Sequence, residues 1–205
     1  MALRGTQYKL FDAPTQMDNG LVYRPEFISP EEEWKLLAMI DSLPLKRAHY
    51  GEYVGYRRYA GFGWGWDSRY QRFVPGPPLP TFLEPTARKV AKWLGIPRAQ
   101  VVEALVNEYP PRAAIGWHRD NEGFEHIIGV SLGAWCRMRW RPFYKKDRGE
   151  VISLELEPRS AYIMQKGIRW EWQHSVAPVL EPRTSITFRT LPARVQLSDG
   201  YRQMI

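Results

Sequence analysis

The sequence predicts an α+β, mainly β protein: an antiparallel sandwich or barrel with helices near the N-terminus buttressing one sheet. Three observations lead there. After Gln100 the chain breaks into short strand-like runs separated by Gly, Pro and charged turns. Helical periodicity is confined to the part before Gln100, and strands do not alternate with helices as a parallel βα fold requires. The 205 residues, 44% hydrophobic and 25% charged, can close one sizeable core, so a single domain over 1–205 is expected.

Residues 1–20 show no clear period and read as a tail or an edge segment. From Ser29 the pattern becomes helical: Ser29 can cap, Pro30 suits the first helical position, and Glu31, Glu32 and Glu33 favour the positive helix end. This helix runs to about Ser42, with Trp34, Leu37 and Ile40 toward the core. A second helix covers about Leu79 to Leu94, where Leu83, Ala87, Val90 and Leu94 recur at spacings of four, three and four; Gly95 and Pro97 end it. The strand-like runs are 101–109, 126–133, 136–142, 151–157, 160–164 and 183–191.

Composition restricts the function classes. The lone Cys136 rules out an internal disulfide and a Cys-based zinc site. The N-terminus lacks the apolar stretch of a secretory signal, and no apolar run approaches bilayer length, so a cytoplasmic protein with no membrane partner is expected. A formal charge of +7 attracts polyanions and points to nucleic acid as a partner.

Residues 47–75 interleave arginines with aromatics and glycines, among them Tyr56, Arg57, Arg58, Tyr59 and Trp64. Cations neutralise phosphate, aromatic rings stack on bases, and glycines permit unusual backbone angles, so this segment reads as a flap that grips nucleic acid. The alternative is an aromatic hairpin packed on the core. Arg137, Arg139 and Arg141 alternate along one strand face, as a track for a phosphate backbone or as an ordinary solvated face.

In His118-Arg119-Asp120 an imidazole and a carboxylate stand two residues apart, on one face of an extended segment. His174 lies far enough along to occupy a neighbouring strand. Two His and one carboxylate are the donor set of non-haem Fe(II) oxygenases, which leave coordination positions open for other ligands. The alternative is two hydrogen-bonded structural histidines and a turn aspartate. In Arg183-Thr-Ser-Ile-Thr-Phe-Arg189, a strand puts Arg183, Ser185, Thr187 and Arg189 on one face. The arginines stand about 20 Å apart along it, and side chains leaning inward leave a gap suited to a short dicarboxylate. A solvent-facing strand is the alternative.

Taken together, NEYPPRAAIGWHRDNEG, GVSLGAWCRMRWRP, LEPRSAYIMQKG and QHSVAPVLEPRTSITFR resemble the AlkB family of iron and 2-oxoglutarate dependent dioxygenases over about 100–191. The resemblance implies a double-stranded β-helix (jelly roll) with N-terminal buttressing helices and an aromatic, basic nucleotide-recognition lid at about 47–75. It implies Fe(II), 2-oxoglutarate and O₂, with His118, Asp120 and His174 as iron ligands. Asn107 and Arg189 then meet the cosubstrate carboxylate beside the iron, and Tyr109, Arg183 and Ser185 hold the distal one. Ser185 stands where some members have Asn. Tyr56, Arg57, Arg58, Tyr59, Trp64, Glu122 and Arg141 are the candidate substrate contacts, Glu122 at the place of the family's base-recognising acid.

The implied activity is oxidative demethylation of alkylated bases in DNA or RNA, releasing succinate, CO₂ and formaldehyde, by a monomer. A base stacked in a duplex cannot reach a buried iron, so the target must be flipped out or single-stranded. The other readings are hydroxylation or demethylation of RNA, including tRNA wobble bases; oxidation of a protein side chain; and a non-catalytic nucleic-acid-binding barrel.

Overall fold

A computed structural model describes residues 15–50, 52–144, 151–193 and 195. Of the unpatterned stretch 1–20, residues 1–14 lie outside these. The remainder opens an edge hairpin, β1 (Thr15–Gln16) with β2 (Leu21–Arg24).

Helix α1 (Pro30–Asp41) starts where the sequence predicts. The Ser29 hydroxyl accepts from the Glu32 amide at 3.1 Å, and the Glu32 carboxylate accepts from the Ser29 amide at 2.7 Å, a reciprocal capping box. Its buried residues are Leu36 and Ile40, whereas Trp34, expected inward, is 70% exposed. At about 100° per residue, Trp34 falls about 200° round the helix from Leu36, on the opposite side. A 3-10 turn (Thr81–Leu83) leads into α2 (Glu84–Leu94), which buries Ala87 and Val90. Gly95 ends it in the left-handed region at φ 68°, a conformation that costs other residues a Cβ clash.

Between the helices the anticipated flap is three strands: β3 (Lys46–Tyr50), β4 (Tyr53–Asp67) and β5 (Arg72–Pro75). It is not a loop: Arg58–Gly63 of β4 pair with β6 (Val101–Tyr109), so the segment extends the main sheet. Gly63, at φ 84°, lets the strand bend there; a Cβ would meet the Val102 carbonyl oxygen at 2.1 Å.

Then follow β7 (Ile115–His118), β8 (Ile127–Gly133), β9 (Cys136–Pro142), β10 (Ile152–Leu156), β11 (Ala161–Met164), α3 (Lys166–Trp170), β12 (Trp172–Val176) and β13 (Arg183–Thr190). Among the described residues they form two antiparallel sheets. The larger runs β1-β2-β11-β8-β13-β6-β4-β3, with β5 on β4; the smaller runs β10-β9-β12-β7. This is the jelly roll that the resemblance implied, and it narrows the sandwich or barrel read from the strand pattern.

One face of the large sheet presents Ala104, Val106, Ile128, Val130, Ile186 and Phe188 to α1 and α2, a continuous apolar layer. The other presents Tyr109, Ile127 and Tyr162 to Met138, Trp140 and Val176 of the small sheet. Strand β13 lies between β6 and β8 and is buried throughout, so its period-two alternation divides the layers: Thr184, Ile186 and Phe188 toward the helices, Arg183, Ser185, Thr187 and Arg189 between the sheets. Four polar residues in an interior need a reason.

Candidate metal centre and active site

The two sheets splay into a cavity of about 710 Å³ lined by both. His118 ends β7 and stands opposite His174 of β12 in register, with ring centroids 4.2 Å apart. Asp120 follows two residues later. The candidate ligand atoms of His118, Asp120 and His174 all lie within 4.8 Å of one another, close enough to share one metal ion.

The protonation of these groups suits a cation. His118 Nδ1 lies 2.9 Å from the Gly116 carbonyl, which can only accept, so Nδ1 donates there and Nε2 is the nitrogen left for a metal. Burial holds the His174 imidazole neutral, taking its pKa down to about 3 against the pull of Asp120. Burial works to raise the Asp120 carboxyl, but the charge and hydrogen bonds of the Arg189 guanidinium outweigh it and keep the group ionised. Asp120 Oδ1 accepts from Arg189 Nη2 at 2.5 Å and Nε at 3.1 Å. Its Oδ2, buried and without a hydrogen-bond partner, lies 3.3 Å from His174 Nε2. An orphaned carboxylate oxygen beside two imidazole nitrogens, with a cavity on the remaining side, fits a divalent transition ion with open positions.

Arg183 lies deeper in the cavity wall, buried, with Nε donating to Ser131 Oγ at 3.2 Å and the guanidinium 4.9 Å from the Tyr109 ring. Ser185 hydrogen-bonds the Tyr109 phenol, whose pKa burial raises. These partners are neutral, so the Arg183 charge suits an anionic ligand. Asn107 also lines the cavity, and its Oδ1 accepts from Arg57 Nη1. Arg189 differs from the sequence expectation of an open fork: its third contact, Nη1, donates to Glu103 Oε2 at 2.6 Å, so two carboxylates of the chain already hold it.

The anticipated substrate contacts divide. Tyr56 and Arg57 line the cavity. Tyr59 stacks under Arg57 at 5.2 Å, and Glu122 accepts from Gln71 Nε2 at 2.7 Å, which ties the loop after Asp120 to the β4–β5 turn. Two are corrected. Arg58 pairs with Glu108 at 2.5 Å on the face of the sheet that carries Ala104 and Val106, away from the cavity, because its neighbours Arg57 and Tyr59 take the inward positions. Trp64, past the Gly63 bend, is 5% exposed within the inter-sheet core, where a base cannot stack on it. Arg141 lies on the outer face of the small sheet, 4.2 Å from the Trp117 ring. Sequence reasoning missed Glu103, whose role comes from standing opposite Arg189 in register, and Arg112, Trp117 and Tyr162, which line the cavity. No local pattern marks them.

Over residues 20–197 the sequence matches the 2OG-Fe(II) oxygenase superfamily. It is similar to protein L905 of Acanthamoeba polyphaga mimivirus, 27% identical over 91% of this chain and 86% of that protein. It is also similar to the tRNA (carboxymethyluridine(34)-5-O)-methyltransferases of Xenopus tropicalis and Mus musculus, alkbh8 and ALKBH8, at 29% and 27% identity. Each match covers 78% of this chain but only 25% and 24% of those proteins, so this chain spans about a quarter of their length. The solved structure of OsALKBH1 shares the fold, with a TM-score of 0.65 at 15% identity over 87% of this chain and 100% of that one. The chain belongs to the 2OG-Fe(II) oxygenase superfamily and is a dioxygenase that works with Fe(II), 2-oxoglutarate and O₂.

Proposed function

We propose that this dioxygenase oxidises N-alkyl groups on nucleic-acid bases, with His118, Asp120 and His174 as the iron ligands. The observation that carries the reading is the arrangement inside one cavity: the His-Asp-His cluster, a buried cation at Arg183, and Tyr56 and Arg57 at its edge. Bound Fe(II) supplies the oxidising power when 2-oxoglutarate and O₂ are present. The protein supplies placement. His118 offers Nε2, His174 stays neutral, and Asp120 presents the oxygen that Arg189 leaves unbound. Arg183, with Tyr109 and Ser185, holds the distal cosubstrate carboxylate, while Asn107 and Arg189 border the near one. Tyr56, Arg57, Tyr59 and Glu122 meet the flipped base, and the charge of +7 favours a polyanionic substrate.

A second reading, oxidation of a tRNA base, is favoured by the relatives whose names give a tRNA uridine at position 34 as substrate. One experiment covers both. Oligonucleotides carrying 1-methyladenine or 3-methylcytosine, and a modified tRNA, are incubated with Fe(II), ascorbate and 2-oxoglutarate and read by mass spectrometry. Loss of a methyl group with formaldehyde release supports dealkylation, and a stable added oxygen on tRNA supports the second reading. Succinate formation with no change to any nucleic acid would sink both.

A further inference from the structure

The outer face of the small sheet carries a feature that the cavity does not use. In β9, Met138 and Trp140 point into the core, so Arg137, Arg139 and Arg141 point out. Arg137 pairs with Glu155 at 3.0 Å. Arg139 and Arg141 differ, because their partners are uncharged: Nε of Arg139 donates to Ser175 Oγ and Nε of Arg141 to Gln173 Oε1, both at 3.2 Å. Their guanidiniums stand 5.2 and 4.2 Å from the Trp117 ring. Arg119 repeats the pattern, 4.0 Å from the Phe143 ring and donating to the Trp170 carbonyl at 3.2 Å. Among the described residues no carboxylate pairs with any of these three arginines.

Several surface arginines among the described residues are neutralised, including Arg58, Arg88, Arg98 and Arg159, each with a glutamate. Arg139 and Arg141 share the Trp117 ring without a carboxylate, and two unneutralised guanidiniums so close repel one another, an arrangement that an anion relieves. Stacking on Trp117 and Phe143 also holds the arginines in place before any ligand arrives, so little side-chain freedom is lost on binding. Their position matters: Trp117 and Arg119 flank His118 and border the cavity mouth. Arg139 and Arg141, two residues apart on a strand, are separated by roughly 7 Å, a repeat that successive phosphates of an extended strand can match.

We propose that this face, centred on Trp117, Arg139 and Arg141 and reaching Arg119, is the track along which the phosphate backbone of single-stranded nucleic acid approaches the cavity. It rests on the nucleic-acid reading above and adds where the strand runs. A single strand fits because the target base must leave its stack and because the track offers cations and no element that enters a groove.

The test is fluorescence anisotropy with a labelled single-stranded oligonucleotide across a potassium chloride series. Each phosphate contact on a single strand contributes about 0.7 to the slope of log affinity against log salt, so losing two should flatten it by about 1.4. The Arg139→Gln/Arg141→Gln variant is therefore expected to bind about tenfold more weakly near physiological salt, with that shallower slope. The Arg139→Lys/Arg141→Lys variant should recover most of the slope, and Arg88→Gln, on α2, should match the wild type. Circular dichroism and retained 2-oxoglutarate binding establish that the variants are folded. If the wild type binds the oligonucleotide and the Gln variant binds it equally well with the same slope, the track is wrong while the substrate reading stands. If polyglutamate displaces the probe as effectively as unlabelled oligonucleotide, the face is a general anion attractor and the proposal fails. If the wild type binds no oligonucleotide, the substrate reading fails and takes the track with it.

Discussion

Arg189 donates twice to the same oxygen of Asp120: Nη2 at 2.5 Å and Nε at 3.1 Å both meet Oδ1, and Oδ2 is left without a hydrogen bond. The arginine thereby fixes which carboxylate oxygen faces His174. Glu103 binds the other side of the guanidinium at 2.6 Å, so a buried cation lies between two buried carboxylates, one on β6 and one in the loop after β7. The arginine that the sequence assigned to the cosubstrate also positions a candidate metal ligand.

Arg189→Met should therefore impair metal binding, and not the cosubstrate alone. Groups that orient a metal ligand typically contribute 10–100-fold in affinity, and a fall of about that size in Mn(II) binding is expected by electron paramagnetic resonance titration. The substitution also strands Glu103 without its cation, which should lower stability by about 3–5 kcal/mol in urea unfolding. Unchanged Mn(II) affinity would show that Asp120 needs no such support.

Arg183→Met should separate the two functions. Arg183 touches the neutral Ser131 and Tyr109 and no ligand of the triad, so Mn(II) binding should be unaffected. Losing a hydrogen bond to a charged group removes about 1.5–3 kcal/mol, which is a 2-oxoglutarate affinity roughly 10–100-fold weaker. Calorimetric titration of 2-oxoglutarate into the Mn(II) form reads this directly. Metal affinity falling in step with cosubstrate affinity would contradict it.

What the sequence revealed and hid follows from the range of each signal. The β13 alternation was legible because a period of two is local and its inner positions carry Arg and Ser where a core would carry Val or Leu. Limits of β6 and β9 and the α1 cap were legible for the same reason. Strand β7 was not, since it is four residues long with Gly116 inside it. Glu103 was hidden because its partner is 86 residues away, and only the β6–β13 register brings the two together. Arg58 was misassigned because a long strand that bends at Gly63 sends adjacent side chains to opposite faces, and composition cannot say which face meets the cavity.

Acid should destabilise the protein through His126. Its Nδ1 lies 3.0 Å from Thr190 Oγ1, which also accepts from the His126 amide at 3.1 Å, so the hydroxyl proton is available to the ring nitrogen. Burial lowers the His126 pKa from 6.5, Arg169 lowers it further, and Glu125 opposes them. A histidine kept neutral in the folded state binds its proton more readily when unfolded. Its contribution is therefore complete above about pH 6.5 and is lost as pH falls toward the folded value. One proton corresponds to about 1.4 kcal/mol per pH unit, and the half-exposed ring should give less. Urea unfolding at successive pH values should show a shallower decline below pH 6.5 in His126→Gln, and parallel curves would refute the assignment.

Gly129 should prove as important to the cavity as a polar residue. It stands opposite Tyr162 across the β8–β11 pair, and a Cβ there would meet Cε1 of the tyrosine ring at 2.3 Å and Cζ at 2.4 Å. Tyr162 lines the cavity and is 8% exposed, so the ring cannot retreat into solvent without opening the inter-sheet packing. Gly129→Ala should lower stability by about 1–3 kcal/mol, the usual range for overpacking, and weaken 2-oxoglutarate binding as the ring is pushed from its place. The clash belongs to the pair, so adding the same substitution to Tyr162→Ala should cost far less. A double-mutant cycle isolates that difference. Equal penalties with and without the ring would mean that Gly129 is required by its backbone and not by the tyrosine that covers it.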